Sequence, residues 1–212
     1  MKLIAITPET YFSQEVDFIR TILDNGFDYV HIRKPQSALE TVDKFISQIP
    51  PEYYNRLKIH NHFELAEKYG LGGIHLNAKH PAAPDGYTGN LSRSCHNFDE
   101  LKDINRFEYV FLSPIFNSIC KKGYMSNFSD KELRDAKSNG IITPKVIALG
   151  GNTAETLSYL SKIGFGGAAF LGYLFNAKDT DQLKTILDEI KKKTILTYAA
   201  IYHTPIRQDD HS

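Results

Sequence analysis

Tryptophan is absent from this chain of 212 residues, and cysteine and methionine occur only twice each. Two cysteines, Cys95 and Cys120, give no sign of a disulfide framework, which argues against a small stapled scaffold. Neither sign of charge is in excess, because 25 Lys and Arg balance 25 Asp and Glu. A broad nucleic-acid or membrane surface therefore has no support, and any anion site must be local. Long apolar runs are missing as well. None approaches the roughly 18 residues of a membrane span. Met1-Lys2 runs straight into "LIAIT", too short for a secretory core. The expected location is the cytoplasm, with neither membrane nor nucleic acid as a partner.

What is present is a regular alternation of short β-branched apolar runs and amphipathic stretches. "KLIAIT" reads as a strand and "EVDFIRTILDNG" as a helix that places Phe18, Ile22 and Leu23 on one face and stops at Asn25-Gly26. "FDYVHIR" is a second strand, and Ser37 is a candidate cap for the helix "ALETVDKFISQI". "LKIHN", "GGIHL", "GNLSRSC", "FEYVFLS", "PKVIALGG" and "GGAAFLG" complete eight strands. Helices are expected at "HFELAEKYG", "NFDELKDI", "TAETLSYLSKIG" and "DTDQLKTILDEIKKK". The run "LNAKHPAAPDGYTGN" is too rich in Pro and Gly for a helix. Eight strands, most followed by a helix, favour a single-domain α/β (β/α)8 TIM barrel over an open sheet. It spans residues 1–200, with a polar tail at 201–212.

A barrel of this kind builds its site from the loops at the C-terminal ends of its strands. That rule gathers His31 and Arg33; His60, Asn61 and His62; His75 and Asn77; and Arg93, Ser94 and His96. It adds Ser118, Cys120 and Lys121 from the loop "SPIFNSICKKGY", Gly150-Gly151 after the seventh strand, and Gly172 after the eighth. Glycines leaving buried strands free backbone N–H groups for an anion, most often a phosphate in the loops after strands seven and eight; a tight turn is the plainer reading. His96 can carry a proton near neutral pH or serve as a structural hydrogen-bonder. Arg33 can clamp a carboxylate or phosphate, or lie on the surface. His60, His62, His75 and His80, with Cys95 or Cys120, could gather around Zn²⁺, although their spacing matches no tight ligand motif.

The segments "LIAIT", "YVHIR", "GGIHL", "SRSCHNFDEL", "SPIFNSICKKG", "VIALGGNT" and "GFGGAAFLGYLF", in this order, resemble the thiamin-phosphate synthase and TenI family of thiamine biosynthesis. The resemblance covers nearly the whole chain. Synthases of the family join a pyrimidine diphosphate to a thiazole phosphate with Mg²⁺; TenI proteins aromatise the thiazole precursor by a proton shift. The resemblance implies a barrel that binds a thiazole phosphate, and it also suggests a homo-oligomer. At the second strand His31 and Pro35 stand where the synthase has Gln and Lys, and only Arg33 is kept. Asn61 is kept, but His62 and His80 stand at the two Mg²⁺ carboxylate positions, and imidazole is a poor Mg²⁺ ligand.

"RSCHN" and Cys120-Lys121-Lys122-Gly123 are closer to TenI. The resemblance therefore implies a thiazole tautomerase with His96 and Lys121 as catalytic groups. Arg33, Asn61, Ser94, Ser118, Cys120, Gly151, Leu171 and Gly172 would bind substrate. That reaction needs no cofactor, whereas a synthase would need Mg²⁺. A non-catalytic binder or regulator of a phosphorylated ligand is the third reading.

Overall fold

The computed structural model describes residues 1–116 and 127–202. Eight parallel strands close into a barrel in chain order. They are β1 (Lys2–Ile6), β2 (Tyr29–Ile32), β3 (Leu57–Ile59), β4 (Gly73–Leu76), β5 (Leu91–Cys95), β6 (Tyr109–Leu112), β7 (Val146–Leu149) and β8 (Gly167–Phe170). The closing pair is β1 with β8, with Leu3 opposite Ala168 and Ala5 opposite Phe170. This is the expected (β/α)8 TIM barrel.

Helices α1 (Glu15–Asp24), α2 (Leu39–Ile46), α3 (Glu64–Tyr69), α4 (Asp130–Ser138), α5 (Leu157–Ile163), α6 (Gly172–Phe175) and α7 (Thr180–Tyr202) belong to the outer layer. Their apolar faces meet the outward side chains of the strands. Leu3, Val30, Ile32, Leu57, Ile59, Val110 and Ala168 form one core with Phe18, Ile22, Leu133 and Leu160. Full burial of each aliphatic side chain contributes about 1.5–3 kcal/mol. Helix α4 starts with a capping box, in which Ser129 and Glu132 satisfy each other's backbone N–H groups. Gly166 enters β8 where a Cβ would lie 1.7 Å from the Pro144 carbonyl oxygen, so only glycine fits there.

Four local expectations change. Ser37 does not cap α2; the N-cap is Ala38 with no side-chain bond, and the Ser37 carbonyl instead accepts from His62 Nε2 at 2.8 Å. "NFDELKDI" forms only a 3-10 turn over Asp99–Leu101. There Glu100 turns back to the backbone N–H of His96 at 2.8 Å rather than helping to extend a helix. After β8 the chain makes the short α6 before α7. Helix α7 runs to Tyr202, two residues into the expected tail; residues 203–212 lie outside the described residues.

Inside the barrel the period-two alternation of the strands produces two unlike halves. Ile4, Ile6, Ile147 and Ala169 pack with Tyr109 and Phe111, and Leu149 and Leu171 close over them. The β2–β5 side instead carries His31, Lys58, His75 and Ser92, all 0% exposed, and His60 at 8%. Barrel interiors are usually layers of Val, Ile and Leu, so this polar half needs internal partners. At the base, Lys58 Nζ bonds Glu108 Oε2 at 2.7 Å, and Tyr29 donates to Glu108 Oε1 at 2.7 Å. That pair closes the N-terminal end of the interior.

Candidate functional site at the barrel mouth

The C-terminal strand ends bring most of the expected residues to one face. After β2, the Arg33 backbone N–H donates to Thr7 Oγ1 at 3.0 Å, and its guanidinium pairs with Glu9 at 2.6 Å. Arg33 is one-third exposed, so the pair is reachable from solvent. The next side chain, Lys34, turns inward to the fully buried Glu15, with 2.7 and 2.9 Å to its two oxygens. It also donates to the Pro8 and Thr10 carbonyls at 2.8 and 3.1 Å. Burial lowers the Lys34 pKa and raises that of Glu15. Lys34 thus ties the loop carrying Glu9 to the strand carrying Arg33.

After β3, Asn61 Nδ2 donates to the Lys34 carbonyl at 3.2 Å, and its buried Oδ1 has no hydrogen-bond partner among the described residues. His62 takes a positive φ of 53°, which swings it away from the mouth toward Ser37. His62 and His80 line a separate cleft of about 570 Å³ with Phe63, Glu64, Glu67 and Tyr87. After β5, exposed His96 places Nδ1 3.2 Å from the Ser113 carbonyl oxygen and 3.4 Å from Ser113 Oγ. A carbonyl only accepts, so Nδ1 carries the proton and Nε2 keeps its lone pair. Among the described residues Nε2 has no hydrogen-bond partner. Ser94 sits lower, with Oγ 2.9 Å from His75 Nε2.

After β7, Gly150 and Gly151 take φ of 102° and 67°. A Cβ on Gly150 would lie 3.0 Å from Pro114 Cα and Cβ. The curl leaves the Gly151 and Asn152 N–H groups without partners among the described residues. Asn152 Nδ2 bridges the Ala148 and Ala169 carbonyls at 2.7 and 2.9 Å, joining β7 to β8 beneath the loop. Leu171 and Gly172 follow β8, Leu171 lying over the apolar half. Ser118, Cys120 and Lys121 lie outside the described residues.

The metal expectation is rearranged. Among the described residues, one set of three His, Cys, Asp or Glu side chains can converge on an ion: His31, His60 and His75, with ligating atoms within 4.8 Å of one another. His62 and His80 are not in it, and Cys95 is buried in the outer core. His31, expected at the mouth, is instead fully enclosed by its position in β2. No carboxylate belongs to the set, so the residues do not fit Mg²⁺, which takes oxygen ligands.

The His31–His60–His75 assembly, the Lys34–Glu15 pair and the Asn152 bridge lie outside the sequence-based expectations. For the histidines a signal existed: His31 lies two residues before Arg33 and His60 two after Lys58, the spacing of one strand face. Nothing local marks Asn152 or Lys34.

The mouth thus combines a glycine curl after β7, Gly151 and Asn152 N–H groups without partners among the described residues, and the His96 imidazole after β5, at the end where (β/α)8 barrels carry their sites. Within the class of (β/α)8 barrels, the chain belongs to the family whose model is described as thiamine monophosphate synthase, which matches residues 3–173. A solved thiamine phosphate pyrophosphorylase from Bacteroides thetaiotaomicron is 36% identical, with a TM-score of 0.83, over 92% of this chain and 98% of that one. A thiamine-phosphate synthase of Bacteroides fragilis is 25% identical over 203 residues, 86% of this chain and 97% of that protein. One from Photorhabdus laumondii is 27% identical over 192 residues, 83% and 88%. The names of these relatives are those of enzymes. Among the described residues no helix is long and apolar enough to cross a membrane.

Proposed function

We propose that this chain is an enzyme of thiamine biosynthesis that binds a thiazole phosphate and moves a proton on its ring, as a thiazole tautomerase of the TenI kind. The observation that carries this reading is the anchoring of His96. The Ser113 carbonyl fixes its proton on Nδ1, which leaves Nε2 as the base and, once protonated, the acid. General acid–base transfer of this sort contributes roughly 10²–10⁴-fold. The Gly151, Asn152 and Gly172 N–H groups receive the phosphate oxygens, and Leu171 offers an apolar bed for the ring. Asn61 Oδ1, buried and without a partner among the described residues, accepts from a substrate donor. Arg33, shared with Glu9, and Ser118, Cys120 and Lys121 are assigned by resemblance to the polar end of the substrate, Lys121 as a second catalytic group. The proton shift itself requires no metal.

The test supplies the non-aromatic thiazole phosphate precursor and follows aromatisation. His96→Ala should slow the reaction about 100-fold or more; equal rates in the two proteins would refute the role of His96. The names of the relatives favour a second reading, thiamine-phosphate synthesis from a pyrimidine diphosphate and a thiazole phosphate. Against it stand His31, Pro35, His62 and His80 at the diphosphate and Mg²⁺ positions. Formation of thiamin phosphate with both substrates and Mg²⁺ would establish that reading over the tautomerase.

A further inference from the structure

The polar half of the barrel interior holds three imidazoles with no role at the mouth. His31 Nδ1 lies 2.9 Å from His60 Nε2. The His60 and His75 rings stack at 4.2 Å between centroids, and His31 meets each edge-on at 5.1 Å. We propose that His31, His60 and His75 form a three-nitrogen site for a borderline divalent transition-metal ion such as Zn²⁺ or Co²⁺, held on the barrel axis beneath the mouth. The site is independent of the thiazole reading and of His96.

Four observations support it. The three ligating atoms lie within 4.8 Å of one another, His31 on β2, His75 on β4 and His60 just past the end of β3 between them, so small rotations of the rings suffice to converge on one ion. All three imidazoles are buried, His31 and His75 at 0% and His60 at 8% exposure, and imidazole nitrogen is an ordinary ligand for such ions. Two of the rings have partners that fix the nitrogen turned away from an ion. His31 Nε2 is 2.6 Å from Tyr109 Oη, and His75 Nδ1 is 2.9 Å from Ser92 Oγ. Such partners orient ligands in metal sites and tune their basicity. Finally, an all-nitrogen set selects borderline metals over Mg²⁺ or Ca²⁺.

The protons balance without loss from any ring. His31 keeps its proton on Nε2, donating to the Tyr109 oxygen, so in the metal-free protein His60 Nε2–H donates to the His31 Nδ1 lone pair. On metal binding the His60 proton moves to its own Nδ1, and the His31 Nδ1 and His60 Nε2 lone pairs both turn to the ion. His75 keeps its proton on Nδ1 toward Ser92, and its Nε2 leaves Ser94 Oγ for the ion. Lys58, the nearest cation below, is already paired with Glu108. His60 keeps 8% exposure, and a water would complete the four ligands usual for Zn²⁺.

The experiment uses the full-length chain, stripped with a chelator and titrated with Co²⁺ by visible spectroscopy and with Zn²⁺ by calorimetry. One ion per chain with ligand-field bands of nitrogen ligation is expected. Binding should weaken at least about 100-fold in His75→Phe and in His60→Gln, and about 10–100-fold in Ser92→Ala, which touches only the orienting partner. The two ligand variants together keep the test open if one fails to fold, as judged by circular dichroism. The double variant His62→Ala/His80→Ala should bind as the parent does. Two results would overturn the proposal: no stoichiometric binding of either ion, or binding that survives both ligand variants and is lost in the His62/His80 variant.

Discussion

Replacing Lys34 by methionine removes the ammonium from a fully buried site. Lys34 and Glu15 side chains are 0% and 1% exposed, and the ammonium also lies 4.2 Å from the Tyr11 ring centroid. Lys34→Met leaves a buried carboxylate with no cation and removes the donor to the Pro8 and Thr10 carbonyls. Breaking one side of a buried pair costs about 3–5 kcal/mol, a large share of the 5–15 kcal/mol typical of a folded protein. For a chain of this length that is roughly 6–20 °C in Tm. Glu15→Gln should cost less, because its amide oxygen still accepts from Lys34. The double variant Lys34→Met/Glu15→Leu replaces both charges with apolar atoms and should recover most of the loss.

The acid dependence of Lys34→Met has a definite sign. Burial already raises the Glu15 pKa, and loss of Lys34 raises it further. A carboxyl with a folded pKa above its unfolded value contributes stability below the unfolded value and loses it as pH rises through the folded one. Lys34→Met should therefore be more stable, relative to the parent, near pH 5 than near pH 8. Urea unfolding at both pH values, on the parent, each single variant and the double, measures all of this. A Lys34→Met cost below about 1 kcal/mol, or a Lys34→Met/Glu15→Leu double variant no more stable than Lys34→Met alone, would refute the account of a buried, mutually dependent pair.

Two further substitutions test the mouth. Gly150→Ala places a Cβ 3.0 Å from Pro114 at a φ of 102°; it should cost about 1–3 kcal/mol of stability and weaken thiazole phosphate binding by calorimetry, and an unchanged affinity would separate the curl from the phosphate. Asn152→Ala removes the donor shared by the Ala148 and Ala169 carbonyls and should lower urea stability by roughly 1–3 kcal/mol, with no measurable loss if the β7–β8 junction does not depend on it.

The sequence by itself determined the barrel and the position of its mouth. Runs such as "KLIAIT" and "VIALGG" carry the apolar pattern of a strand, the second with the glycines that end it, and eight of them in order leave little choice of sheet. His96, Arg33, Asn61 and the glycine pair were legible because a residue just past a strand end lies on the mouth face whatever the neighbouring strands do. Only the tertiary structure decided what lies beneath. Whether Lys34 points to solvent or into Glu15 depends on where α1 docks. His62 leaves the mouth through a positive φ, a backbone choice set by its surroundings. His31 lies on β2, His75 on β4 and His60 just past β3, and their rings meet only because closure and register put those positions side by side. Local pattern fixes which face of a strand a residue occupies; only closure of the barrel fixes what it faces across the axis.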